Sequence, residues 1–186
     1  MADYCARAAT HPLHRDHHDR EHGFCPPDDA AWLERLSWEI GQAGISWAVV
    51  LAKRESMNRA FDGFDLDRVA GYGAEEVGRL LADPGVVRHR GKILAVIHNA
   101  GAMRRWRDEA GSVRAWLAAS RPATAGDWLR LLRRHLRFIG PEIAREWLEG
   151  TGVLPGAHRP DCPVAVRAAA SGPLWLESAS TRRQAG

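Results

Sequence analysis

A chain of 186 residues can bury a substantial core, and its 45% apolar and 26% charged residues exclude disordered and fibrous classes. No run approaches the roughly 20 apolar residues of a membrane span, and the N-terminus lacks the charged-then-apolar layout of a signal peptide, so a cytoplasmic protein is expected. Formal net charge is only +3, carried almost wholly by arginine, since Lys53 and Lys92 are the only lysines.

Arginine's planar fork suits phosphate and hence nucleic acid, although a GC-rich genome raises arginine equally, so charge alone decides little. Three cysteines, Cys5, Cys25 and Cys162, are an odd number in a chain without a secretion signal. That argues against a disulfide framework and for metal binding or burial.

Residues 1–24 hold His11, His14, His17, His18 and His22 and show little periodic apolar pattern. Burial alone would not order such an arm, whereas a metal clip would; a solvated histidine-rich arm is the other reading. Asp28-Asp29 mark a helix start, followed by Trp32, Leu33, Leu36 and Ile40 at helical spacing. The stretch from Trp38 to Trp47 then sets Glu39 near that helix's end, beside the small-residue turn Gly41-Gln42-Ala43-Gly44. An acid near an aromatic plate can hold a flat, hydrogen-bonding or cationic ligand such as a nucleobase. A helix corner with a core tryptophan fits the same letters.

A second helix is expected from about Ser46 to Phe61, and Asp65 can cap a short one carrying Leu66 and Val69. Glu75 to Leu81 is again helical, stopped by Asp83-Pro84-Gly85. The densest basic cluster, Arg88-His89-Arg90-Gly91-Lys92, opens a long helix to about Glu109. Cations oppose the dipole at a helix N-terminus, and an anion there would resolve the conflict. Ser112 caps a helix through Leu117, Arg121 to Thr124 is a loop, and Asp127 to Leu136 is helical. Leu136 to Gly140 then leads into Pro141 at the first position of a new helix, a tight hairpin with free backbone N–H groups for a DNA phosphate. Strand alternation is lacking, so an all-α fold is expected: a single domain over 1–162, with ends 1–24 and 151–162 tied together. Residues 163–186 read as a mobile tail.

His158-x₃-Cys162 lets both side chains reach one ion, and Cys5 with one N-terminal histidine could complete two Cys and two His. Four protein ligands without an open position suit a structural zinc. Spacing does not choose among His17, His18 and His22.

Together these segments resemble the DNA-3-methyladenine glycosylase I family. The resemblance rests on Cys5, His18-Asp19, Glu21, Gly23, Glu39 through Trp47, Arg88 through Ile93, Arg137 through Gly140, His158 and Cys162, in order over about residues 3–162. It implies a helix-hairpin-helix DNA glycosylase that flips an alkylated purine out of double-stranded DNA and hydrolyses its glycosidic bond without a lyase step. The implied zinc ligands are Cys5, His18, His158 and Cys162. Glu39 is the implied catalytic carboxylate, and Trp47 stacks on the base. Ile45, Arg88, Arg90, Lys92, Phe138 and Gly140 are the implied DNA contacts, and a monomer is expected.

The chain departs from the family where a tyrosine precedes the zinc histidine, where a tryptophan follows Glu21, and at a tyrosine further upstream. These positions read His17, His22 and His14. The loop from Ala119 to Leu129 is also shorter. His17 and His22 are carried as substrate-binding candidates, and the alternative is a zinc-stabilised DNA-binding protein that has lost or changed excision.

Overall fold

Several helices begin where a polar side chain takes an orphan N–H, as Asp28, Ser46, Asp65 and Thr124 do. In the computed structural model, which describes residues 4–120 and 122–177, the helices in order are α1 (Tyr4–Thr10), α2 (Pro12–Arg20), α3 (Asp29–Gln42), α4 (Trp47–Ala52), α5 (Arg54–Ala60), α6 (Leu66–Ala70), α7 (Ala74–Ala82), α8 (Arg90–Ala110), α9 (Val113–Ser120), α10 (Ala125–His135), α11 (Pro141–Gly150) and α12 (Pro163–Ala170). The described residues contain no strand, so the all-α expectation holds. None of their helices is long and apolar enough to cross a membrane. The chain divides into two compact units, residues 28–144 and residues 1–27 with 145–186.

In the 28–144 unit, Asp28 caps α3 by accepting from Ala31 N–H at 2.8 Å, Ser46 caps α4 and Asp65 caps α6. Asp29 does something local pattern cannot show: its carboxylate accepts from Val113 N–H at 2.8 Å and so starts α9. Ser112 Oγ takes the next orphan, Ala115 N–H. Trp32, Leu33, Leu36 and Ile40 of α3 are buried, and α3 packs on α8, which also carries α6, α7 and α9. Trp106 and Trp116 stack at 4.0 Å and 5°, where α8 meets α9.

Two boundaries differ from expectation. The helix expected over 46–61 breaks at Lys53 into α4 and α5, and Lys53 donates its ammonium to Pro84 O while Ser56 Oγ reaches Lys53 O and Gly85 O. Helix α10 starts two residues before Asp127 because Thr124 and Asp127 form a reciprocal capping box.

In the other unit, α2 turns His14, His17 and His18 inward and leaves Leu13 exposed. This reverses ordinary amphipathic logic, so the inward face of α2 is chosen by what its imidazoles bind rather than by apolar burial. Gly23 and Gly152 bring two loops close: Gly23 N–H donates to Gly150 O at 2.7 Å, and a Cβ on Gly152 would meet Gly23 O at 2.9 Å. Both have positive φ, 83° and 69°, so glycine is required on two counts. Of the segment expected as a tail, residues 163–177 hold α12 and bury Val164, Ala168 and Leu174. Their small apolar residues pack without the bulky stripe that announces a core helix. Residues 178–186 lie outside the described residues.

Candidate functional site

Cys5 of α1, His18 of α2, His158 and Cys162, at the N-cap of α12, converge so that one ligand atom of each lies within 4.8 Å of all the others. His18 Nε2 is 3.2 Å from His158 Nδ1 and 3.6 Å from Cys162 Sγ, and His158 Nδ1 is 3.9 Å from each sulfur. Tetrahedral zinc with nitrogen at about 2.0 Å and sulfur at about 2.3 Å requires about 3.3 Å between nitrogens and about 3.6 Å between nitrogen and sulfur. The four residues fit that ion.

The hydrogen bonds around them carry the fit further. His158 Nε2 lies 2.7 Å from the His22 carbonyl, which can only accept, so Nε2 holds the proton and Nδ1 is a bare lone pair. His18 Nδ1 lies 2.7 Å from the Asp19 carboxylate, which accepts from it and leaves Nε2 facing the cluster. The two inward nitrogens face each other at 3.2 Å, the separation that one shared tetrahedral cation sets. Both outer partners are those that orient metal-binding imidazoles. Burial holds His158 below its ordinary pKa, which favours the neutral ligand form.

Geometry thus selects His18 from the three histidines that spacing left open. His17 Nδ1 instead pairs with Tyr4 Oη at 3.0 Å, and His22 Nε2 donates to Ala157 O at 3.1 Å. Tyr4 sits edge-on to His14, His17 and His22, a role that sequence reasoning missed because its helix has no apolar periodicity. A cavity of about 360 Å³ opens beside Cys5 and His158.

The remaining candidates lie in the 28–144 unit, apart from His17 and His22 above. Glu39 sits half-buried in the last turn of α3. The chain then turns through Gly44, at φ +86°, with Ile45 exposed, and re-enters the core at Trp47, the first residue of α4. Arg88 and Arg90 are exposed at the start of α8, where His89 is the N-cap, its Nδ1 accepting from Lys92 N–H at 3.2 Å. Lys92 was expected to face DNA, and here the structure corrects the sequence reading. Its side chain is buried, and its ammonium donates to Gly41 O at 2.9 Å and to Ala43 O, the last carbonyls of α3. A cation at a helix C-terminus satisfies orphan carbonyls and suits the dipole, which outweighs exposure to solvent.

The hairpin Leu136 to Gly140 buries Leu136 and Ile139 and exposes Phe138, whose φ of 60° is rare for an aromatic residue. Asn99, fully buried on α8, holds it by both backbone groups of Arg137, accepting from its N–H at 2.7 Å and donating to its carbonyl at 3.2 Å. The signal was a lone amide in the inward stripe of α8.

The sequence profile of the methyladenine glycosylase family matches residues 7–127. DNA-3-methyladenine glycosylase 1 of Escherichia coli (strain K12) is 43% identical over 98 residues, 53% of this chain and 52% of that protein. DNA-3-methyladenine glycosylase of Haemophilus influenzae is 35% identical over 102 residues, 55% of each. The chain thus spans about half the length of the curated relatives it matches. A solved structure of 3-methyladenine DNA glycosylase I from Staphylococcus aureus is similar at a TM-score of 0.75 and 26% identity, over 86% of this chain and 95% of that one. With a profile match over most of its length and the same helical fold, the chain belongs to the methyladenine glycosylase family.

Proposed function

We propose that the protein is a monofunctional DNA glycosylase that excises 3-methyladenine from double-stranded DNA. The observation that supports this reading is the placement of Glu39 in the last turn of α3 and Trp47 at the start of α4, on either side of one turn that Lys92 ties down, in a member of this family. The N3-methylated purine is cationic in the nucleoside, so it departs as a neutral base and asks little of a general acid. Glu39 accepts from the exocyclic amine and offsets the positive charge that grows on the sugar as the bond opens. Trp47 stacks on the base, and cation–π attraction adds on the order of 1–2 kcal/mol in a desolvated site. Water adds to the sugar carbon and loses its proton, leaving an abasic site.

A lyase step would need a free amine. Both lysines have their ammonium groups committed to carbonyls, Lys53 to Pro84 and Lys92 to Gly41 and Ala43, which supports simple hydrolysis. Zinc held by Cys5, His18, His158 and Cys162 is structural and takes no part in the reaction. Leu136 to Gly140, with α10 and α11, acts as the helix-hairpin-helix element: Phe138 and Gly140 hold the backbone, Arg88 and Arg90 meet phosphates, and Ile45 enters the duplex. His17 and His22 stand at the family's aromatic base-contacting positions, and this substitution favours a second reading, a DNA-binding protein without excision. The protein acts as a cytoplasmic monomer in either case.

Release of 3-methyladenine from alkylated duplex by the wild type, lost in Glu39→Gln, is the expected result. No released base above buffer background overturns the enzyme reading in favour of the second.

A further inference from the structure

Lys92 and Asn99 stand seven residues apart on α8, so they share one helix face about 10 Å apart along the axis. Each is a buried polar side chain spent on the backbone of a different loop. Lys92 binds the carbonyls of Gly41 and Ala43, which end α3 and open the turn bearing Ile45 and Trp47. Asn99 binds Arg137 N–H and C=O, fixing the start of the hairpin that exposes Phe138. A neighbouring bond, from His98 Nε2–H to His135 O at 2.9 Å, ties the end of α10 to the same helix.

We infer that Lys92 and Asn99 are positioning residues that set the spacing between the base-binding turn and the DNA-gripping hairpin, with α8 as the rigid spacer. The inference deepens the glycosylase reading and rests on it. Each loop has one local tie, Ile45 N–H to Gln42 O at 2.9 Å in the turn and Arg133 Nε–H to Ile139 O at 3.1 Å in the hairpin, and the bonds from α8 add the long-range hold. At the end of α3 the Ile45 N–H takes the Gln42 carbonyl and leaves those of Gly41 and Ala43 to Lys92, and Phe138 holds a left-handed φ that an isolated loop would abandon. Without Lys92 the carbonyls of Gly41 and Ala43 lose their donor, so the turn between Glu39 and Trp47 relaxes. Without Asn99 the Arg137 peptide groups must find water, and the hairpin shifts. Since the two anchors grip different loops, their losses separate in function.

The experiment compares Lys92→Met and Asn99→Leu with wild type in two assays, affinity for a duplex bearing a tetrahydrofuran abasic analogue and affinity for free 3-methyladenine. Single-turnover excision is measured alongside. Lys92→Met is expected to weaken free-base binding and excision by about tenfold while keeping duplex affinity within about twofold. Asn99→Leu is expected to do the reverse for the two affinities, about tenfold being the worth of one or two net hydrogen bonds. Asn99→Asp keeps the acceptor for Arg137 N–H and is expected to recover part of the duplex affinity. Where a variant loses its helical circular dichroism, Lys92→Gln and Asn99→Asp take its place. If each variant lowers both affinities in proportion to its lost thermal stability, or neither affinity changes, the spacing role is overturned. A wild type that grips the abasic duplex yet excises nothing refutes the glycosylase reading instead, and the affinity arms still decide the role of each anchor.

Discussion

Exchanging Cys162 for Ser removes one of the four candidate metal ligands, a sulfur buried at the start of α12. His18 and His158 are 140 residues apart in sequence, and closing a chain of that length costs about 4 kcal/mol. That is the order of what the metal offsets and of the stability lost with it. For a protein of this size it corresponds to a fall in unfolding temperature of roughly 10 °C. The wild type is expected to purify with about one equivalent of zinc, the variant with almost none. A Cys25→Ser control keeps its metal, because Cys25 is not in the cluster. Chelator reaches the site through the cavity beside Cys5 and should lower the wild-type unfolding temperature to that of the variant. Hydrogen exchange should then rise in residues 4–24 and 151–170 and much less in α8. A metal-free wild type that unfolds at the same temperature with and without chelator would refute the reasoning.

Glu39→Gln keeps the size of the side chain but not its charge, so excision should fall by roughly a hundredfold or more with the helical circular dichroism unchanged; equal rates would remove Glu39 from the chemistry. Arg90 is exposed at the start of α8, and Arg90→Ala should lower duplex affinity uniformly across sequences and reduce the salt slope by about one. An unchanged slope removes it from the DNA face. His14 and His135 are both held below the ordinary histidine pKa of 6.5, His14 by burial with His11 and Arg7 nearby, His135 by burial with Arg105 and Arg134. As pH falls through 6.5 the unfolded chain takes up these protons before the folded one does. Stability is therefore fully present above that pH and declines below it. His135→Gln should flatten the decline in thermal unfolding between pH 7.5 and pH 5.5, and an identical slope would argue against that origin.

Local chemistry was legible wherever it acts within a turn or two of the chain. Asp28, Ser46 and Asp65 announced helix starts because a cap bonds to an N–H only three residues on. The long helix expected from the basic cluster to about Glu109 is α8, and Gly140-Pro141 announced the entry to α11. The residue types of the Cys/His cluster were readable too, with the N-terminal histidine left open, since the His158-x₃-Cys162 spacing lets both side chains reach one point.

What could not be read depends on partners far along the chain. Lys92 looked like one more cation of a basic run, and only the arrival of α3 at its side turned it inward. Asn99 was one amide in a long helix until the hairpin crossed it. The break at Lys53 follows from carbonyls near residue 85, and α12 packs through alanine and valine with no period strong enough to see. His17, His18 and His22 are equivalent in sequence, and they differ only in which nitrogen meets a carbonyl, a phenol or a facing imidazole. By itself, then, the sequence determined the all-helical class, the caps, the family and the kinds of atoms at each candidate site, because propensity and capping act within one helix. The tertiary structure decided which histidine joins the cluster, where the buried lysine points and what holds the hairpin. Those choices depend on groups between 38 and 140 residues away, whose approach no local pattern encodes.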